Sequence, residues 1–374
     1  MKLKTWIADP TVIPADAAED ALAISVSDSF IEILATQKLS LAVTIVPDGL
    51  LLIGLSSDGN LAVDHRAIPH AWGIAVNGDR LAVATHREII VYANSPLLAP
   101  LHPEHPKRHD AFFSPRVTFF TGDSMIHDMA IGQRGIVVAN TRFSAVCMID
   151  GRYNFDPIWH PSFISRVIPE DCCHLNGLAV ADGQLRYVTA FGSFDQPAEW
   201  RKHSPFHGVL IDVERDRMLC EGLCLPHSPR LFDNRLFVLE SGYGTVLEID
   251  RASGEKSCLA QLPGLTRGLC AHADILFVGL SPPRDSVNRW TLPIHEVSTP
   301  LVAGVVAVDR KNGAVIGMLQ VISRSAREIF DIQLLSGITC PGFADTSTNP
   351  GGLYILDSPS GGYWMKSLVA GGRR

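Results

Sequence analysis

Apolar residues run along this chain in short blocks of four to six, and a turn closes each block. LAVTIV is followed by PDG, LLLIGL by SSDGN, GIAV by NGD, RLAVAT by HRE and RLFVLE by SGYGT. Blocks of that length bounded by Asn-Gly, Asp-Gly and Gly-Asn are strands joined as hairpins. Helical periodicity is scarce. Ser29–Lys38 (SFIEILATQK) predicts one short helix, and the stretch 197–203 predicts another.

Many short strands with regular turns predict an all-β chain, and an internal repeat selects among sandwich, barrel and propeller. Six segments share an opening: HAWGIAV from His70, MIHDMAI from Met125, HLNGLAV from His174, PHSPRLF from Pro226, TRGLCAH from Thr266 and EIFDIQLL from Glu328. The first five recur every 40 to 55 residues, the period of a four-stranded blade. The expectation is a β-propeller of six blades, or of seven if the N-terminal hairpins form a blade alone. In the six-bladed reading EIFDIQLL is the innermost strand of the last blade. The hairpins from Leu39 to Ile68 supply its outer three strands. The chain ends then close one blade together and leave no long exposed sheet edge. A single domain is expected over 1–374, with a propeller core at 39–340, an extension at 1–38 and a Gly-rich tail at 341–374. The apolar stretch GLYILD in that tail has no assigned partner at this stage.

In a propeller the starts of the innermost strands gather at one end of the central channel. The six openings align on Gly73, Asp128, Gly177, Ser228, Gly268 and Asp331. One residue earlier stand Trp72, His127, Asn176, His227, Arg267 and Phe330. Three residues earlier stand His70, Met125, His174, Leu225, Leu265 and Glu328. If the approach to each strand is extended, side chains two apart point the same way, and the two sets form two tiers facing the channel. The same alternation turns Asp128 and Asp331 away, toward neighbouring backbone or an imidazole.

Those tiers bring four histidines, Arg267 and Glu328 to one channel mouth. Clustered imidazoles either bind a borderline metal such as Zn²⁺ or Fe²⁺, or act as an acid–base pair near neutral pH. The leading expectation is a divalent metal held by His127, His174 and His227. His70 or Glu328 then completes the shell or acts as base, and Arg267, Asn176 and Trp72 hold the substrate. The activity expected is metal-assisted hydrolysis, lyase or isomerase chemistry on a small organic molecule. The alternatives are a metal-free His/Glu cyclase, lyase or isomerase, and a non-catalytic scaffold for a protein partner. RHDAFFSPR (108–116) reads as an insertion that either lids the channel or forms a solvated loop. Arg142 and Arg327 read as ion-pair residues.

Composition narrows the partners. A hydrophobic content of 46% with 19% charged residues excludes wholesale disorder. The net charge is −7 and no basic stripe is present, which argues against nucleic acid. No run of about 18 apolar residues predicts a membrane span, and MKLKTWIADP lacks the apolar core of an export signal. A cytoplasmic location follows as the expectation. The eight cysteines form no CxxC pair and are expected to be reduced. Neither a P-loop nor GxGxxG occurs, so no nucleotide cofactor is expected; the absence of GxSxG argues against a serine hydrolase. The oligomeric state is open.

TFFTGDSMIHDMA, CHLNGLAV, LPHSPRLFDNRLFVLESG, LPGLTRGLC, VGLS and REIFDIQ, in this order, resemble a bacterial family of conserved hypothetical proteins described as a domain of unknown function. The resemblance runs from about Leu39 to Thr339. It implies a propeller and carries no assigned activity or catalytic residues. HLNGLAV is more loosely similar to the inner strands of six-bladed gluconolactonase and strictosidine-synthase propellers, which bind a divalent metal or substrate at one channel mouth. This chain departs from them in placing histidines where their metal-binding members favour Glu, Asn and Asp. That departure argues against a calcium-type site. A histidine ring on a propeller axis is also similar in arrangement, though not in motif, to the iron-dependent carotenoid oxygenases.

Overall fold

The computed structural model describes residues 22–283, 290–297, 299–323, 327–344 and 353–366. Six antiparallel sheets form the blades of a six-bladed β-propeller. Their innermost strands are Ile74–Asn77, Ile126–Ile131, Leu175–Ala181, Pro226–Phe232, Leu265–His272 and Glu328–Ser336, taken here as blades 1 to 6. Each of these strands touches the next, and the last touches the first, so the ring is closed. Closure is as expected: Glu328–Ser336 pairs with Leu39–Val46, followed outward by Gly49–Leu55 and Leu61–Arg66.

The apolar blocks are continuous rather than alternating because both faces of a blade are buried. In blade 6, Leu41, Val43 and Ile45 pack in the cluster against blade 5, while Ala42 between them packs against blade 1. In blade 1, Leu81 and Val83 face blade 6, and Ala82 and Ala84 face blade 2. Close approach at the axis demands glycine in places. A Cβ on Gly177 would lie 2.5 Å from both Pro229 Cδ and Thr189 Oγ1. Gly268 has φ +76°, a left-handed conformation that disfavours a side chain, and a Cβ there would also strike Asp331 Cα at 2.9 Å.

The chain ends belong to the blades more closely than the sequence division suggested. Ala23–Val26 pairs with Val315–Ile322 as a fifth strand on blade 5. The helix Asp28–Gln37, capped by Ser27, buries Phe30 and Leu34 against the same core. In the second stretch assigned to a helix, only the 3₁₀ turn Glu199–Lys202 forms. Pro341–Phe343 adds in parallel to Ala111–Phe120, the outermost strand of blade 1. GLYILD finds its partner in a hairpin of Leu353–Ser358 with Gly361–Lys366. Asp357 of that hairpin accepts from Ser95, and Trp364 Nε1 donates to Leu98 O. The stretch 108–116 is not a lid. It leads into the outermost strand of blade 1, and Asp110 accepts from Thr339 and Cys340 backbone amides on the tail. All eight cysteines are free thiols. Among the described residues no helix is long and apolar enough to cross a membrane.

One side chain ties the blades together at the axis. Arg230 of blade 4 makes a two-pronged pair with Asp128 of blade 2, at 2.8 and 3.0 Å. It also donates to Leu178 O of blade 3 and Leu269 O of blade 5. Asp331 of blade 6 lies 3.9 Å from Arg230 and accepts from Ile74 N of blade 1. Asp128 in turn accepts from Leu178 N. The expectation that these two aspartates serve backbone groups holds. Arg230 was not anticipated.

Hydroxyls reinforce this network between neighbours. Thr44 Oγ1 donates to Trp72 O across the blade 6–1 boundary, Thr141 Oγ1 to Leu175 O across 2–3, and Ser241 Oγ to Thr266 O across 4–5. Two ion pairs read from sequence are present as well, Arg142 with Asp123 and Arg327 with Asp48.

The axial cluster sets two expected outcomes. Arg230→Ala leaves Asp128 buried without its counter-ion, and urea unfolding should show a loss of about 3–5 kcal/mol. Burial and the nearby Asp128 charge raise the Asp331 pKa to about 7, against an ordinary 3.8. The folded state therefore holds a proton that the unfolded chain releases, and this group's contribution to stability falls as pH rises from about 4 through 7. Unfolding free energies at pH 5 and pH 8 should show that fall in the wild type and a flatter profile in Asp331→Asn. Equal pH slopes in the two proteins would contradict the assignment.

Candidate functional site

The channel mouth is a cavity of about 230 Å³ lined by parts of both aligned tiers. From the nearer tier come Trp72, His127, His227, Arg267 and Phe330; from the farther tier come Met125, His174, Leu225, Leu265 and Glu328. Two expected members stand apart. His70 is exposed and contacts His86 and Trp72 instead. Asn176 is buried and its Oδ1 accepts from Thr189, but it is not among the lining residues.

The approach to the strands is not extended. His70, Met125, His174 and Leu225 have φ between 51° and 56°, so the farther tier is left-handed in blades 1 to 4. Such a conformation is unfavourable for residues with a Cβ and tends to be kept where it serves a site. Here it brings the carbonyl of that residue back onto the imidazole two positions later. Met125 O lies 2.8 Å from His127 Nδ1, and Leu225 O lies 3.0 Å from His227 Nδ1. A carbonyl only accepts, so each Nδ1 carries the proton. A hydroxyl 14 residues further on completes each cradle: Thr141 with His127 at 2.8 Å, and Ser241 with His227 at 2.7 Å. In both rings the lone pair is therefore on Nε2. Burial, with His174 and Arg267 close by, holds the His127 pKa well below 6.5, so this ring is neutral.

His174 is held differently. Its Nδ1 lies 3.0 and 3.1 Å from the two carboxylate oxygens of Asp171. Asp171 also accepts from Trp200 Nε1, and Arg201 stands 3.8 Å away. A carboxylate on one nitrogen orients an imidazole and stabilises its protonated form, which suits the other nitrogen to take and return a proton. His127 and His174 are neighbours, with ring centroids 5.0 Å apart.

Opposite these rings lies a buried ion pair, Arg267 Nη1 to Glu328 Oε1 at 2.5 Å. The Arg267 guanidinium also lies flat over Phe330, 3.4 Å from its centroid, and Phe330 stacks on Trp72 at 9°. Burial lowers the Arg267 pKa from its usual value. Phe191, Trp200 and Trp290 add three aromatic side chains to the wall, carried on segments outside the inner strands, beside Arg201, Ser241, Thr266, Ser281 and Pro282.

His127, His174 and His227, expected as metal ligands, all line this cavity. Among the described residues no group of three or more His, Cys, Asp or Glu side chains converges to hold a metal ion. Each Nδ1 is engaged by backbone, hydroxyl or carboxylate, and the Phe191 ring packs against both His174 (4.6 Å) and His227 (5.3 Å). Glu328, expected as base or ligand, is the counter-ion of Arg267. Sequence reasoning missed Asp171, Thr141, Ser241 and the aromatic wall. Two signals were available: a carboxylate three residues before His174, and hydroxyls 14 residues after His127, His227 and Arg267.

Comparison with known proteins adds family and fold. The pattern of a family described as "Domain of unknown function (DUF4915)" matches residues 28–343. No curated protein matches. Among solved structures, a chain of a nidogen/laminin complex is similar with a TM-score of 0.51 at 11% identity, over 80% of this chain and 99% of that one. A protein of unknown function from Bacteroides caccae has a TM-score of 0.47 at 10% identity, over 79% of this chain and 98% of that one. At such identities the first likeness speaks to fold alone.

The cradles predict tautomers that ¹⁵N NMR can read. His127 should appear as the neutral Nδ1–H form at pH 6, and His227 should show Nδ1 carrying a proton. A doubly protonated His127 at that pH would contradict the geometry.

Proposed function

We infer the function from the cavity itself, because the chain belongs to the DUF4915 family, a domain of unknown function. The reading is an enzyme that moves a proton on a small organic molecule, an isomerase or lyase, with His174 as general base and acid. The observation that carries it is the buried Asp171–His174 pair beside a neutral His127 in one shielded cavity. His174 Nε2 takes a proton from the substrate, and the electron pair moves toward an adjoining acceptor group. The proton then returns at another atom, or a neighbouring leaving group departs. His127, whose Nε2 carries a lone pair, accepts a hydrogen bond from the substrate. Asp171 is a positioning residue acting through His174.

This reading is favoured over the metal-assisted one because among the described residues no three His, Cys, Asp or Glu side chains converge on an ion, while His174 has a buried carboxylate of its own. It corresponds to the metal-free alternative, with the base moved from Glu328 to His174. A base in such a position contributes about 10²–10⁴-fold in rate.

Exchange in D₂O tests it. Small carbon acids incubated with the protein should take up deuterium at the abstracted position, read by proton NMR. His174→Gln should lower the rate about 10²-fold or more, and EDTA should leave it unchanged. Undiminished exchange in His174→Gln, or loss of exchange with chelator, would sink the proposal.

A further inference from the structure

The cavity contains a donor with no acceptor. Arg267 is 9% exposed, Nη1 is engaged by Glu328, and Nη2 is buried with no hydrogen-bond partner among the described residues. A buried guanidinium nitrogen left unmatched is costly and rare enough to need a reason. A second unmatched buried donor, Asn176 Nδ2, belongs to the same nearer tier. The Arg267 side chain cannot swing away to find water, because Glu328 holds one nitrogen and Phe330 covers its face at 3.4 Å. It is a fixed donor in a cavity whose lining includes Trp72, Phe191, Trp200, Trp290 and Phe330.

We propose that this cavity binds a small aromatic monocarboxylate, with a carboxylate oxygen on Arg267 Nη2 and the apolar body against Trp72, Phe191 and Trp200. This rests on the cavity being the functional site and names the class of its substrate. Three observations select an anion of this kind. The Arg267 guanidinium, fixed in the cavity wall, biases the cavity toward negative guests. Glu328 cancels part of that bias, so one negative charge is accommodated and a phosphate dianion is opposed. The cavity of about 230 Å³ with five aromatic rings along it matches a ring-sized body rather than a sugar or a peptide.

Binding without turnover tests this, and so stays independent of the proton-transfer reading. Isothermal titration at pH 7.5 with benzoate, benzamide and phenyl phosphate is read alongside tryptophan fluorescence. Benzoate should bind and change the fluorescence, with benzamide and phenyl phosphate each at least about 10-fold weaker. Arg267→Met should bring benzoate down to the benzamide level, and Arg267→Lys should recover part of the loss. Thermal melting checks that both variants are folded; if Arg267→Met is not, Arg267→Lys carries the test through reduced discrimination between benzoate and benzamide. No benzoate binding, equal affinity for acid and amide, tighter binding of the phosphate, or full preference retained without Arg267 would each overturn the proposal. If benzoate binds as expected while no deuterium exchange occurs, the anion site stands and the proton-transfer reading falls. If exchange occurs only on neutral carbon acids and benzoate does not bind, the reverse holds.

Discussion

The structure depends on a single guanidinium at the axis. Arg230 reaches blades 2, 3, 5 and 6 from blade 4, and Asp331 carries the network to blade 1. Six apolar sheets packed face to face have little in their core contacts to set their rotation about the axis, since dispersion and hydrophobic burial are not directional. Charge-assisted hydrogen bonds are directional. The cluster sets that register, and with it the positions of His127 and Phe330, the residues immediately before Asp128 and Asp331. The cavity floor is thus built on the same residues that hold the ring shut.

Above that cluster the repeat is reused for a different purpose. The left-handed residue that precedes each of four inner strands costs conformational energy, yet in blades 2 and 4 its carbonyl fixes an imidazole tautomer. The hydroxyl that links one blade to the next also receives the Nδ1 proton. A group satisfied on both sides does not rotate, so His127 and His227 present the same nitrogen lone pair without further support. His174 occupies the left-handed position itself and so takes its partner from the loop ahead of the strand. That difference separates a carboxylate-held His174 from two rings held by carbonyl and hydroxyl oxygens.

Reading the chain for repeats located most of the architecture. The six openings are the six inner strands, and the closing blade is assembled from both ends as the hairpin pattern required. Ten of the twelve aligned positions line the cavity. The assignment of roles fared differently. Glu328 was read as a base because a carboxylate near imidazoles suggests one, but its neighbour in space is Arg267, 61 residues away in sequence. The histidines were read first as ligands because four of them recur in register; the carbonyls, hydroxyls and carboxylate that hold Nδ1 of His127, His174 and His227 were not visible in that pattern. The stretch 108–116 was read as an insertion, either a lid or a solvated loop, and it is the approach to the outermost strand of blade 1.

What the sequence by itself determined is the periodic part: strand length, hairpin turns, the six inner strands and most of the side chains that face the mouth, while the count of six blades rather than seven came from the structure. The periodic features follow from local patterning and from a repeat, both of which are one-dimensional. What only the tertiary structure decided is which atoms meet. Asp171 with His174 and Trp200, Arg267 with Glu328 and Phe330, and Arg230 with Asp128 are set by backbone turns, by the order of blades around the axis and by aromatic residues on long loops. Apart from the local Asp171–His174 pair, those contacts join residues far apart along the chain at distances near 3 Å, and a hydrogen bond or a charge pair responds to that separation, not to the spacing in sequence.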